Sequence, residues 1–245
     1  TDADNVFPGC PSVWDIASEE VWSDWNCVPI STLSSNESTV DVNFSQDGQW
    51  LFSALSDGHI RIWDMESGQE ILSFIGDNGI SQIAVLLNGQ RVITSPDFNG
   101  TGGIDDGFVW DIDYVGHKVT SSGVVEEVRT IAASSSGELF ATYGRLLTIH
   151  DALTLETLRV VPPSVGYEPN WTLILDLVFS PDDQFLAAVT DNGKLLIVTV
   201  ETGYLAASYQ VAETALVDLN WSADGTRIAV TAGDGIVFLY SMPTS

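Results

Sequence analysis

The chain has 245 residues, 44% of them hydrophobic, which is enough to bury one sizeable core. It carries 34 Asp+Glu against 8 Lys+Arg, a net charge of −26. Such a surface repels phosphate backbones and anionic lipid, so nucleic-acid binding is the first function excluded. No apolar run approaches the ~20 residues of a membrane span, so membrane insertion is not expected. Cationic partners, divalent ions and extracellular, periplasmic or cell-surface surroundings fit the acidity, as does plain solubility. No basic segment followed by an apolar one marks a signal peptide, and a start at Thr1 rather than Met reads as a processed form or a fragment.

Residues 1–33 form an N-terminal segment distinct from the rest of the chain. It holds both cysteines, Cys10 and Cys27. An even pair in an acidic, lysine-poor chain suggests a disulfide closing a short loop, with buried free thiols as the alternative. "PSVWDIASEEVWSDWN" places Trp22 and Trp25 beside acids, either for docking or for packing on the protein itself. "CVPISTL" alternates as a strand does.

From residue 34 onward the chain repeats. The turns "SQDGQ", "LLNGQ", "SSSGE", "SPDDQ" and "SADGT" have fourth positions at Gly48, Gly89, Gly137, Asp183 and Gly225, 41 to 48 residues apart. An alternating strand precedes each turn ("VDVNF", "SQIAV", "RTIAA", "LDLVF", "LVDLNW") and a second follows it ("WLFSAL", "RVITS", "LFATY", "FLAAVT", "RIAVTA"). Third strands read "HIRIWD", "GFVWDID", "LLTIHD", "KLLIVTV" and "IVFLYS". A fourth is visible in the first four copies. No segment holds a helical apolar period over ten residues. One four-stranded sheet cannot cover both of its faces, but several packed face to face around an axis can. The fold class is therefore all-β, a β-propeller of four-stranded antiparallel blades, five by this arithmetic, with six or an incomplete ring as alternatives.

"SDGHIRIWD" carries Asp57 in the tight turn between second and third strands, and Trp63-Asp64 closes the third. Trp110-Asp111 and Trp14-Asp15 repeat the dipeptide, His150-Asp151 holds a similar place, and Tyr240 stands where a Trp would. Residues 40–240 thus resemble degenerate WD40 repeats. The Gly-His that precedes the first strand in that family is missing before Val40, so its full His–Asp–Ser–Trp network is not expected. The resemblance implies a buried Trp63, and a ring closed by an N-terminal strand, here "CVPISTL", as the last strand of the final blade.

One loop has its own chemistry. In "DFNGTGGIDDG", Asp97, Asn99, Thr101, Gly102 and Asp105 take positions 1, 3, 5, 6 and 9 of a D-x-N-x-T-G-x-x-D pattern. Alternate oxygen ligands on a tight loop suit Ca2+, and Asp97, Asn99, Thr101 and Asp105 are the candidate ligands. The pattern departs from calcium loops at Thr101 and at Phe108, where no Glu stands. A plain Gly-rich hairpin loop is the alternative. The three histidines, His59, His117 and His150, lie in no metal-ligand spacing. No nucleophile elbow, P-loop or dinucleotide fingerprint is present. The sequence therefore reads as a non-catalytic scaffold for other proteins, in a larger complex. A surface-layer or filament subunit, and a propeller hydrolase or lyase with acidic residues at a central channel, are the alternatives.

Overall fold

The computed structural model describes residues 14–15, 20–21, 38–76, 79–96, 105–162 and 172–242. Trp14–Asp15 (β1) pairs antiparallel with Glu20–Val21 (β2). Five antiparallel sheets come next in chain order, each a meander. The first is Thr39–Phe44 (β3), Trp50–Leu55 (β4), His59–Asp64 (β5) and Glu70–Ile75 (β6). The second is Ile80–Leu86 (β7), Arg91–Pro96 (β8), Asp105–Asp113 (β9) and Lys118–Val128 (β10). Thr130–Ala133 (β11), Leu139–Tyr143 (β12), Leu147–Asp151 (β13) and Thr157–Val160 (β14) make the third. Ile174–Phe179 (β15), Phe185–Thr190 (β16), Lys194–Thr199 (β17) and Leu205–Gln210 (β18) make the fourth. The fifth has three strands among the described residues: Leu216–Trp221 (β19), Arg227–Ala232 (β20) and Val237–Ser241 (β21). Its expected closing strand, 27–33, lies outside the described residues.

The chain divides into two compact units, Thr1–Gly103 with Gly107–Val124, and Ile104–Asp106 with Val125–Ser245. In the first unit, Phe52, Ile60 and Ile62 of the first sheet pack on Ile83, Val85 and Val92 of the second. In the second unit, Tyr143 and Ile149 of the third sheet meet Phe179, Leu186 and Val198 of the fourth. Val189 and Ile197 of the fourth sheet then meet Leu219, Ile228 and Val230 of the fifth. Each fully buried Ile or Leu contributes roughly 1.5–3 kcal/mol.

The alternation that reveals the strands does not mark one face as wet. β4 and β5 are buried at nearly every position, Ser53 and Arg61 included. Middle strands lie under cover on both faces, whereas the outer β6 and β18 are half-exposed. The turn glycines are required by their backbone: Gly48, Gly137 and Gly225 have φ of 72°, 72° and 69°. Asp183 takes the same left-handed position at φ 56°, one that Asp tolerates better than most residues.

A bulge interrupts the first strand next to Asp41, Gln82, Asp176 and Asp218. At two of these positions a carboxylate ties one sheet to the next. Asp41 accepts from the Ile83 N–H at 2.8 Å, and Asp176 from the Leu219 N–H at 3.3 Å. Burial pushes Asp41 above the usual carboxylate range, against those backbone hydrogen bonds. It pushes Asp176 up to about 7, helped by the hydrogen bond and charge of Asp218.

Candidate protein-interaction site

Each turn between a first and second strand of the fourth and fifth sheets is closed by its own serine and aspartate. In the fourth sheet Ser180 Oγ donates to Asp182 Oδ1 at 2.6 Å and accepts from the Phe185 N–H at 2.9 Å. In the fifth, Ser222 Oγ donates to Asp224 Oδ1 at 2.6 Å and accepts from the Arg227 N–H at 2.9 Å. The Ser180 bond holds Asp182 below the usual range. Ser222 and the Thr226 N–H and hydroxyl bring Asp224 down to about 2. Both aspartates are exposed and ionised at neutral pH.

What differs between sheet junctions is the side chain that bridges adjacent turns. Between the first and second sheets Gln46 does it, donating to Val85 O at 2.7 Å and accepting from the Asn88 N–H at 2.8 Å. Between the third and fourth, the Asp183 carboxylate accepts from the Ser135 and Ser136 N–H groups at 2.7 and 2.9 Å. At the junction of the fourth and fifth, Pro181 occupies the turn position of Gln46, and Gly225 that of Asp183. Neither has a side chain that can bridge. A Cβ on Gly225 would lie 3.7 Å from Pro181 Cδ.

A cavity of about 580 Å3 opens at this junction. Phe185, Ile197, Trp221 and Met242 supply its apolar wall, and Asp182 and Asp224 its charge. Tyr209, also in the lining, packs on Tyr240 with ring centroids 5.8 Å apart. The Nε1–H of Trp221 is buried and has no hydrogen-bond partner among the described residues. Sequence reasoning missed this site. Its signal was the pair "SPDD" and "SADG" on successive repeats, both with Asp at the third position, with Pro181 and Gly225 at the places that face each other across the junction.

The repeat residues singled out from the sequence serve structure. Trp63 is fully buried, and its Nε1–H donates to Ser53 Oγ at 3.1 Å. Asp64 Oδ1 accepts from the Ser67 N–H and hydroxyl, each at 2.7 Å, which lowers its pKa. Asp57 holds the His59 N–H at 3.0 Å and its Nδ1 at 2.7 Å. Trp110 packs against Phe74 at 5.5 Å, with its Nε1 buried and without a partner among the described residues. Asp111 pairs with Arg91 at 2.6 and 3.1 Å, and that hydrogen bonding lowers its pKa. His150 stands in the Trp63 position, stacked on Phe140 at 4.6 Å and hydrogen-bonded by Thr142, Thr148 and Thr157.

Asp97, Asn99 and Thr101 lie outside the described residues, as do Cys10, Cys27, Trp22 and Trp25. Asp105 opens β9, so the strand starts two residues before the expected Gly107 and the last candidate ligand falls within it. Among the described residues, no group of three or more His, Cys, Asp or Glu is placed to hold a metal ion.

Two family models match: the WD domain, G-beta repeat over residues 27–64, and the anaphase-promoting complex subunit 4 WD40 domain over residues 164–223. The chain is similar to the Protein LST8 homolog of Drosophila melanogaster, 28% identical over 71% of this chain and 59% of that protein. It is similar to Autophagy-related protein 16 of Arabidopsis thaliana, 24% identical over 97% of this chain and 43% of that one. Eukaryotic translation initiation factor 3 subunit I of Drosophila grimshawi is 23% identical over 86% of this chain and 66% of that protein. The chain thus spans less than two thirds of the length of these relatives. Among solved structures, the Cps50 (Swd1) β-propeller domain of Myceliophteria thermophila matches 84% of this chain and 66% of that one, with a TM-score of 0.67 and 19% identity.

These relatives correct one expectation. Proteins named for translation initiation and autophagy are intracellular, which points away from the extracellular, periplasmic or cell-surface location inferred from acidity and the cysteine pair. The physical error is that net charge reports solubility and repulsion, not compartment. The disulfide loses its main support with the location.

Proposed function

Since the chain is a WD40-like β-propeller, we propose that it is a non-catalytic scaffold which holds other proteins within a larger complex. The observation that carries this reading is the use of the repeat residues. Trp63, Asp64, Asp111 and His150 are engaged in burial, turn closure and ion pairing, while the cavity between the fourth and fifth sheets joins apolar wall to fixed charge. That combination suits a partner side chain better than a bond-making step. Relatives named as a translation initiation factor subunit and an autophagy-related protein are in keeping with work inside assemblies. A net charge of −26 turns the scaffold away from nucleic acid. Among the described residues no helix is long and apolar enough to cross a membrane.

The test is the native mass of the tagged protein in gentle lysates, followed by cross-linking. The expected result is migration well above 26.4 kDa with discrete partners. Migration as a lone monomer at endogenous concentration, with no cross-linked protein, refutes the scaffold. Concentration-dependent self-assembly of the pure chain would instead favour a filament or surface-layer subunit.

A further inference from the structure

We propose that the cavity between the fourth and fifth sheets receives an arginine or lysine side chain from a partner polypeptide. The inference rests on the scaffold reading and narrows it to one contact of stated chemistry.

Three features select the ligand. Asp182 and Asp224 occupy the same place in successive turns and bring two negative charges to one cavity. Each is held in position by its turn serine at 2.6 Å, so neither has to be ordered on binding. Among the described residues the lining contains no Lys, Arg or His; the Arg227 charge acts on Asp224 from outside it, and Asp182 has no such cation among the causes of its lowered pKa. The remaining wall is apolar, with Phe185, Ile197, Trp221 and Met242. A basic side chain matches both parts, because its methylene stem lies along apolar surface while its head stays at the carboxylates. A guanidinium also stacks favourably on an indole.

The third feature favours a polypeptide over a free amine. Among the described residues the Trp221 Nε1–H is buried and has no acceptor, and a buried donor left unpaired is costly. Trp221 also lines the cavity, so a peptide carbonyl that enters with the basic side chain supplies that acceptor once the indole shifts toward it. At this junction Pro181 and Gly225 make no bridge of the kind that Gln46 makes between the first and second sheets and Asp183 between the third and fourth. Among the described residues, no hydrogen bond joins the 180–184 turn to the 222–226 turn.

The experiment uses the full chain labelled with 15N and follows the Trp221 indole resonance, assigned with Trp221→Phe. The probe is the blocked peptide acetyl-Gly-Leu-Arg-Leu-Gly-amide. The comparators are the same peptide with neutral citrulline in place of arginine, and free arginine amide. The arginine peptide is expected to shift the Trp221 resonance, and its affinity to fall with added salt. Citrulline is expected to weaken binding at least about tenfold, a difference of about 1.4 kcal/mol. Asp182→Asn with Asp224→Asn should weaken the arginine peptide similarly, whereas Asp47→Asn, the equivalent turn of the first sheet, should not. Pro181→Gln restores a bridging side chain and should abolish binding, and it serves as the decisive variant if the double Asn variant melts early. No shift up to about 10 mM peptide, equal binding of the citrulline peptide, or arginine amide binding as tightly as the peptide would each overturn the proposal. A chain that resides in a large complex yet ignores the peptide refutes the pocket alone; a monomer that binds the peptide refutes only the complex.

Discussion

Arg61 poses the sharpest energetic question among single residues. Its side chain is fully buried on β5, and among the described residues its three guanidinium nitrogens have no hydrogen-bond partner. An unpaired buried charge is strongly unfavourable, and a well-packed apolar replacement of similar volume is often neutral or stabilising. Arg61→Met is therefore expected to leave stability unchanged or raise it by about 1–4 kcal/mol in urea unfolding. A loss above about 1 kcal/mol would show that the guanidinium has a partner in solution. Two other buried groups make opposing contributions to pH dependence. Desolvation lowers His150 to about 4, from 6.5 in the unfolded chain. Its contribution is complete above pH 6.5 and is lost as pH falls toward 4, about 3 kcal/mol in full. Asp176 is raised to about 7, so its contribution is complete below pH 3.8 and is lost as pH rises toward 7. Between pH 4 and 6.5 the slopes oppose each other. Asp176→Asn should make stability climb with pH across that window, and His150→Gln should make it decline. Denaturant melts at pH 4.5, 5.5 and 6.5 measure this, and parallel profiles for both variants would refute the assignment.

At the scale of elements, the turns join the sheets as much as the strands do. Asp183 caps two N–H groups of the 134–137 turn. Asp183→Gly keeps the left-handed backbone and deletes only the carboxylate, making this junction resemble the one at Gly225. The expected loss is about 1.5–3 kcal/mol, the range for hydrogen bonds to a charged group, read from denaturant midpoints; no loss would mean that the apolar interface alone holds these sheets together. The second element is the loop from Asp97 to Asp105. We propose that it binds Ca2+ weakly, with Asp97, Asn99, Thr101 and Asp105 as oxygen ligands. Neutral Thr101 and the absence of a Glu at 108 place its affinity near the millimolar range of weak modules. Added Ca2+ at a few times that concentration should raise the melting temperature by mass action, and Asp97→Ala should remove the rise. Equal melting temperatures in chelator and in Ca2+ would return the loop to a hairpin connection. The strands were legible because each repeat spells out its own turn: a Ser or its substitute, then Asp, Asn or (in the third) Ser, then a residue that accepts positive φ. The carboxylate links of Asp41 and Asp176 were written in "VDVNF" and "LDLVF" but went unread, because an acid in a strand pattern looks like a solvated face until the neighbouring sheet is in place.

For the molecule as a whole, electrostatic repulsion governs behaviour outside the core. With 34 acidic residues and 8 Lys+Arg, the folded chain concentrates like charges that the unfolded chain spreads apart. Salt should therefore stabilise it. The melting temperature should rise between about 0.01 and 1 M NaCl, most steeply below about 0.15 M, where the Debye length still exceeds about 8 Å. A flat response would refute repulsion between the surface acids as a significant destabilising contribution. The same field draws basic segments toward the protein from a distance before any cavity is reached.

By itself the sequence determined the repeat and the antiparallel meander within each sheet, because turn chemistry and two-residue periodicity are local properties of the chain; the burial of Trp63 was implied by the WD40 resemblance. It could not show that Ser53 and Arg61 are as buried as their apolar neighbours, since burial of a middle strand depends on cover over both faces. Nor could it show the cavity lined by Phe185, Trp221, Asp182 and Asp224. These residues belong to two repeats about 40 positions apart, and the space between them depends on whether facing turns are bridged. Only tertiary packing sets Pro181 against Gly225 and leaves that junction open.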